Sequence, residues 1–410
     1  MAKTGWQVHK FGGSSLADPQ CFRRVADILL QDQASDKGRA VVVSAMGGMT
    51  DALLRLVVEA ELSADSIDPG IAAISDRYQA AVRELLGSPD KVEGLLALFD
   101  ADLRDVSDVL NAISLVRSAA DRSRDLVAGF GELWSARLLA GYLEQQSDRQ
   151  EGGCPVKWVD ARELLVVEHG EMGPAVVWEP SQQNADRHFD DGVTGIVVVT
   201  GFIALDPRGL QTTLGRNGSD FSASILASLL NADLLTIWTD VDGVMSADPN
   251  RVPDAQVITG LSYNEAMELA YFGAKVLHPQ TMSPVVERDI PIQIRNTFNP
   301  DAPGSRIASH NDSSGGVKGV TSIDDVALVN LEGAGMIGVP GTADRLFGAL
   351  RNAEISVILI SQASSEHSIC FAVPNHDAMQ VERIVRQAFK IELEQKLIQS
   401  VEVQEQCSIV

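Results

Sequence analysis

Aromatic residues make up only 5% of the 410 positions, and there are just four cysteines. Cys21, Cys154, Cys370 and Cys407 form no C-x-x-C pair and fit no zinc-binding spacing. No apolar window of about 18 residues could span a membrane, and residues 1–6 lack the apolar core of a signal peptide. These shortages point to a reduced, soluble, cytoplasmic protein. Positive charge is short as well: 33 Lys and Arg stand against 56 Asp and Glu, a formal net charge of -23. A nucleic-acid binder needs a basic surface to release counterions, so nucleic acid is not an expected partner. Small anions remain possible ligands, since a few local cations and backbone N–H groups can hold a phosphate inside an acidic protein. The common nucleotide signatures are missing too: no G-x-x-x-x-G-K-[ST], no G-x-G-x-x-G, no H-R-D, and no H-E-x-x-H. If the chain handles ATP, it does so by another route.

What is present suits a chain of two or three domains: 45% hydrophobic residues and 34 glycines over 410 positions. Plentiful glycine with few aromatics favours an α/β protein over an all-β sandwich. Residues 7–12 read as a strand ending on two glycines. Asp18 and Pro19 then form an N-cap and a first-turn proline, and Phe22, Val25, Ile28 and Leu29 follow at helical spacing. Residues 40–44 are a wholly apolar run ending at a serine, the pattern of a buried parallel strand. Residues 50–150 read as mainly helical, with a helix expected to start around 131–137. Further strands are expected at 195–200, 234–239 and 291–296, and a helix from about Ser219 to Asn231. Ser262-x-x-Glu265 is a capping box for another helix, which Gly273 can end. Apolar strands alternating with helices predict a mainly parallel sheet covered on both faces.

Residues 299–316 are dominated by Pro, Gly, Ser, Asn and Asp and read as a linker. Beyond it, strands at 326–331, 355–360 and 368–373 and helices at 343–351 and 378–389 give the order β-α-β-β-α, most of a ferredoxin-like module. Two last strand candidates, 398–403 and 408–410, follow.

In a doubly wound sheet, ligands gather at the carboxyl ends of the strands. Here the first strand ends in Lys10-Phe11-Gly12-Gly13-Ser14-Ser15, where glycines let N–H groups approach phosphate oxygens and the lysine supplies a point charge. Alone, such a turn is commonplace, and its lysine would normally face solvent. The other strand ends are polar or glycine-rich as well: Ser44-Ala45-Met46-Gly47-Gly48-Met49-Thr50, Thr200-Gly201-Phe202 and Thr239-Asp240-Val241-Asp242-Gly243-Val244. Ordinary turn chemistry explains any one of them but explains the set less well. Gly215-Arg216-Asn217-Gly218-Ser219-Asp220 precedes a helix, so its N–H groups and dipole favour an anion. Arg216 offers a planar fork suited to a carboxylate. Asp220 is either a stabilising first-turn residue or the group that orients the lysine or a metal.

The segments Lys10 to Ser15, Gly131-Glu132-Leu133-Trp134-Ser135, Gly215 to Asp220, Trp238 to Val244 and Phe272-Gly273-Ala274-Lys275-Val276-Leu277-His278-Pro279 occur in the order seen in aspartokinases of the amino-acid kinase family. The resemblance covers nearly the whole chain and is strongest to the aspartokinase half of bifunctional aspartokinase–homoserine dehydrogenases. It implies an amino-acid kinase fold at 1–298, a linker at 299–316, an ACT-like regulatory domain at 317–394, and the start of a truncated second ACT-like module at 395–410. By the same resemblance Lys10 would stabilise the transferring phosphoryl group and Asp220 would organise that lysine. Gly12, Gly13 and Ser14 would line the phosphates. Ser44, Thr50, Glu132, Arg216, Asn217, Gly218 and Ser219 would hold L-aspartate, Arg216 on a carboxylate and Glu132 near the ammonium. Thr239, Asp240 and Lys275 would contact ATP, as would the region of Met245 and Asn250. At those two positions many family members carry Tyr and Arg, and here Arg251 follows one residue later. Magnesium would arrive on the phosphates, with no dedicated protein cage. Gln362 would touch an inhibitory amino acid, threonine rather than lysine, and the ACT region would make a homodimer or higher homo-oligomer, with an open strand edge near 398–403.

The implied reaction is ATP-dependent phosphorylation of the aspartate side-chain carboxylate, the first step towards lysine, threonine and methionine. A carboxylate with an ordinary pKa near ~3.9 is already a nucleophile at neutral pH, so no general base is required. Two other readings stay open: a kinase for another small amino-acid carboxylate on the same fold, and a catalytically silent amino-acid-binding subunit.

Overall fold

The computed structural model describes residues 5–31, 37–150, 152–170, 173–189, 195–271, 278–309, 316–362 and 367–410. It divides into two compact units, Met1–Gly319 and Val320–Val410.

The first unit is built on an eight-stranded sheet in the order Gly260–Ser262, Ser305–Ala308, Ile292–Asn296, Leu234–Thr239, Trp6–Phe11, Gly38–Val43, Ile196–Thr200, Val156–Val159. Its neighbours run parallel except Ile292–Asn296 against Ser305–Ala308. Gly38–Val43 and Ile196–Thr200 are buried at every position, which requires cover on both faces and explains the apolar runs 40–43 and 196–199 within them. The register brings Phe11 level with both Val43 and Trp238, and Val43 level with Thr200. Four strands therefore end together at one edge of the sheet.

Local chemistry sets the helices around this edge. Asp18 accepts from the Cys21 N–H at 2.9 Å and caps the helix Pro19–Gln31, whose Phe22, Val25, Ala26 and Leu29 are buried. That N–H also holds the Asp18 carboxyl below its usual range. The capping box closes as expected: the Ser262 N–H donates to Glu265 Oε2 at 2.8 Å, and the Glu265 N–H to Ser262 Oγ at 3.2 Å. Gly273 lies outside the described residues.

Residues 49–147 form the helices Met49–Leu62, Ile67–Leu85, Pro89–Val116 and Asp121–Ser147 with one 3-10 turn. The expected helix start near Gly131 is corrected here, because that helix begins at Asp121 and Gly131 lies within it. A Cβ at Gly131 would come 2.9 Å from the Ala45 side chain. The glycine allows close packing against the strand-end loop and does not mark a helix end.

The expected linker is corrected as well. Ser305–Ala308 is a strand of the central sheet, pairing with Ile292–Asn296 on one side and Gly260–Ser262 on the other. Its Pro- and Gly-rich lead-in forms the preceding turn, with Gly304 at φ 71°. A four-residue strand of Ser, Arg, Ile and Ala is too short to show an alternating pattern.

The second unit is an antiparallel sheet in the order Leu359–Ser361, Ser368–Pro374, Ile323–Glu332, Ser400–Ile409, with helices Thr342–Asn352 and Ala378–Ala388. Val329, Leu331, Leu346, Phe371, Val381 and Val385 form its core. The two candidate strands at the end of the chain are one strand, Ser400–Ile409, paired to Ile323–Glu332. It completes this sheet at an edge, where the sequence reading expected residues 395–410 to begin a second module.

Candidate active site

The common edge of the four strands surrounds a cavity of about 330 Å³. Lys10, Gly12, Gly13, Ser44, Thr50, Glu132, Asn217, Gly218, Ser219 and Asp220 all line it. The fold thus brings together ten sequence-nominated residues drawn from four separate segments.

Lys10, on the first strand, reaches the helix Gly218–Leu229, where its Nζ lies 2.8 Å from Asp220 Oδ1. Both side chains are largely enclosed, so the ion pair fixes the ammonium at the cavity wall without solvent to screen it. Three helical segments begin at the same cavity: the 3-10 turn Gly13–Leu16 and the helices Met49–Leu62 and Gly218–Leu229. Their N-cap residues Gly12, Gly48 and Asn217 contribute no side-chain cap. The Met49 and Gly218 N–H groups donate to the Met46 and Gly215 carbonyls, and the positive ends of these two helices favour negative charge in the cavity. Close backbone contact shapes the floor, where a Cβ on Gly47 would sit 2.9 Å from the Gly13 carbonyl oxygen.

Glu132 comes from the helix Asp121–Ser147 and is 4% exposed. Burial pushes its carboxyl up to about 8, opposed only in part by the Ala45 N–H and its own. Its Oε2 has no hydrogen-bond partner. A buried carboxyl oxygen without a partner is costly, and one facing a cavity invites a donor from a ligand. One turn on, Ser135 Oγ donates to the Ser44 carbonyl at 2.5 Å and pins this helix to the strand-end loop.

Other nominated residues fall outside this cavity. Arg216 and Ser14 are exposed and are not among its lining residues. Arg216 lies between Gly215 at φ 70° and Asn217 at φ 55°, two left-handed positions in the loop before the helix, both of which line the cavity. Thr239, Asp240, Met245 and Asn250 sit on the adjoining strand end and its following loop. Thr239 Oγ1 donates to Asp240 Oδ1 at 3.1 Å, and Met245 bridges to Val257. Asn250 is exposed and donates through its backbone and side-chain N–H groups to Asp248 at 2.9 and 3.0 Å. Lys275 lies outside the described residues. Gln362 belongs to the second unit, where it lines a separate cavity of about 330 Å³ with Met336, Val339, Pro340, Thr342 and Ile369.

The structure adds Ala45, Met46, Gly47, Gly48, Asp51 and Phe202 to the lining. Their signal was position just past a strand end. Phe202 adopts φ 67°, rare for an aromatic residue, held by the Ser222 hydroxyl accepting its N–H at 2.9 Å. Among the described residues no group of three or more His, Cys, Asp or Glu could hold a metal ion, and no helix is long and apolar enough to cross a membrane. Chemically, one fixed cation with converging helix N-termini suits anionic groups, and the Glu132 carboxyl beside them suits an ammonium.

Residues 5–296 match the amino acid kinase family, and residues 329–389 match an ACT domain. The chain is 41% identical over 99% of its length to a bifunctional aspartokinase/homoserine dehydrogenase 1 of Arabidopsis thaliana, named as chloroplastic, and covers 44% of that protein. It is 37% identical to the bifunctional aspartokinase/homoserine dehydrogenase of Haemophilus influenzae, over 98% of this chain and 49% of that one. It thus spans about half the length of these relatives. Among solved structures, E. coli aspartokinase III in complex with aspartate and ADP superposes with a TM-score of 0.78 at 28% identity, over 97% of this chain and 85% of that one. The same enzyme with lysine and aspartate gives 0.75 at 29%, with 97% and 85% covered. With nearly three hundred residues matched and the strand-end cavity in place, the chain belongs to the amino acid kinase family and carries an ACT domain.

Proposed function

We propose that this chain is an aspartate kinase, forming 4-phospho-L-aspartate and ADP from L-aspartate and ATP. The observation that carries the reading is the unpartnered Glu132 Oε2 sharing one cavity with the Lys10–Asp220 pair and two helix N-termini. An acceptor that is both anion and cation needs this pairing. Likeness to an enzyme solved with aspartate and ADP supports it.

In this reading Glu132 takes the aspartate ammonium, while Ser44, Thr50, Asn217, Gly218 and Ser219 hold its carboxylates. Arg216, exposed on the same loop, closes on a carboxylate once substrate is present. Gly12, Gly13 and Ser14 cradle the phosphates. Thr239, Asp240, Met245, Asn250 and Lys275 form the nucleotide side. The side-chain carboxylate oxygen attacks the γ-phosphorus, and the bond to the β–γ bridging oxygen breaks. Its electron pair leaves with ADP, so no proton has to be removed. Lys10 meets the charge that builds on the transferring group, with Asp220 holding it in place. The exposed Asp51 carboxylate at the cavity fits a magnesium ion held chiefly through the phosphates. Bound magnesium would neutralise phosphate charge.

ADP release measured with aspartate, with glutamate and with neither tests the assignment. Turnover with aspartate alone is expected. Turnover without an amino acid, equal turnover with glutamate, or none at all overturns it.

For the second unit we propose an inhibitory amino acid bound beside Gln362, with threonine preferred over lysine. Among the described residues no acidic side chain lines that cavity, so a lysine ammonium would lack a partner. Gln362→Ala is expected to raise the threonine concentration for half-inhibition about tenfold, the order of one lost hydrogen bond. Unchanged inhibition would place the effector elsewhere. The domain assignment proposed is a kinase domain running through Ser305–Ala308 to the unit boundary, followed by the ACT domain. Leu359–Ser361 is exposed throughout at one edge of the ACT sheet and Ser400–Ile409 forms the other, which supports assembly of copies through this region. Four free cysteines suit a reducing compartment such as the cytoplasm.

A further inference from the structure

One buried contact joins two turns that the aspartate-kinase reading places on the nucleotide. Ser15 closes the first turn after Gly12 and Gly13, and its hydroxyl lies 2.7 Å from that of Thr297. Neither residue has any solvent exposure, although they are 282 positions apart in sequence. The Thr297 N–H donates to the Thr239 carbonyl at 2.8 Å, at the end of the strand that leads to Asp240. The residue before it, Asn296, donates from Nδ2 to Asp242 Oδ1 at 2.7 Å, and Asn299 reaches the same oxygen at 3.2 Å.

We propose that Thr297 is a positioning residue for the nucleotide, its hydroxyl on the phosphate turn and its N–H on the Thr239 carbonyl fixing the distance between them. The inference rests on the nucleotide reading of those two turns. Its physical basis is the number of independent attachments. The phosphate turn leaves its own strand through two glycines, which restrain the backbone weakly. The Thr239–Asp242 turn is anchored from the 296–299 loop at three points. The sheet pairing of Phe11 with Trp238 holds the two strands together, and beyond it the Thr297 hydroxyl carries the anchorage of the 296–299 loop across to the phosphate turn itself. With the methyl of valine in its place the volume is retained, but the Ser15 hydroxyl is left buried without its partner. The phosphate turn can then shift relative to the nucleotide turn, while the acceptor side, built on Glu132, Ser44 and Thr50, is untouched.

The test is steady-state kinetics on the full chain, varying ATP at saturating aspartate and then aspartate at saturating ATP. Thr297→Val is expected to raise KM for ATP roughly tenfold, about 1.4 kcal/mol, with KM for aspartate changed less than about twofold. Thr297→Ser, which keeps the hydroxyl, should restore the wild-type value. If the valine variant does not fold, Ser15→Ala carries the same test and the same expected split. Equal changes in both KM values, a lower melting temperature with neither changed, or failure of serine to rescue overturns the proposal. A wild-type chain that releases no ADP with aspartate removes the aspartate-kinase reading and this inference with it. A wild-type chain that does so, with kinetically silent Thr297→Val, removes this inference alone.

Discussion

Lys10→Ala is expected to lower kcat by roughly 10²–10³-fold, the usual cost of removing one preorganised donor from developing charge, with KM for aspartate moved less than about threefold. The ammonium lies 2.8 Å from Asp220 in a largely enclosed wall, so its position is set before substrate arrives. It therefore costs no reorganisation in the transition state. In the proposed reading the acceptor is held by other groups, Glu132 and residues at the starts of two helices, which the substitution leaves in place. Single-turnover measurements separate the chemical step from aspartate binding. Equal losses in both would make Lys10 a ground-state anchor. The substitution also strands Asp220 without its cation, so stability falls too. Lys10→Ala/Asp220→Asn should recover stability but not rate.

Glu132→Gln is expected to weaken aspartate binding on the order of 10²-fold, the loss of a buried charge–ammonium contact, and to stabilise the free protein at pH 8. The Glu132 carboxyl is raised from an ordinary 4.5 to about 8. Between those values the folded chain keeps a proton that the unfolded chain releases. Stability contributed by this group is therefore full below about 4.5 and declines as pH rises towards about 8. Glutamine does not titrate, so a stability difference in favour of the variant should grow over that window, reaching a few kcal/mol. Binding runs the other way. An aspartate ammonium needs the ionised carboxylate, so binding expels a proton, and KM for aspartate should fall as pH rises from 6 towards about 8. Calorimetry in buffers of different ionisation enthalpy reads the proton directly. Aspartate binding without proton release, or a KM that rises with pH, would remove Glu132 from the ammonium site.

The sheet of the first unit was largely legible because its strands are short apolar runs with polar ends. Four of the five strands expected in the first unit, those at 7–12, 40–44, 195–200 and 291–296, match with boundaries differing by one or two residues, and Leu234–Thr239 matches residue for residue. Ser305–Ala308 was not legible, since its pairing depends on two strands that reach it only after folding. The helix around Glu132 begins ten residues earlier than its sequence suggests, because Gly131 reads locally as a helix start. In the structure Gly131 instead accommodates the neighbouring Ala45 side chain.

By itself the sequence determined the chemistry on offer: a lysine beside two glycines, an acid-bearing helix, and an aspartate in the first turn of another. Residue type and short-range spacing suffice for these, because capping, glycine turns and hydrophobic period act within a few residues. Only the tertiary structure decided which of them meet. It set the Lys10–Asp220 distance across 210 residues of chain, left Glu132 Oε2 without a partner, put Arg216 outside the cavity, and joined Ser15 to Thr297. Those outcomes depend on parallel register and on helix packing against the sheet, and these are properties of elements distant in sequence that no local pattern encodes.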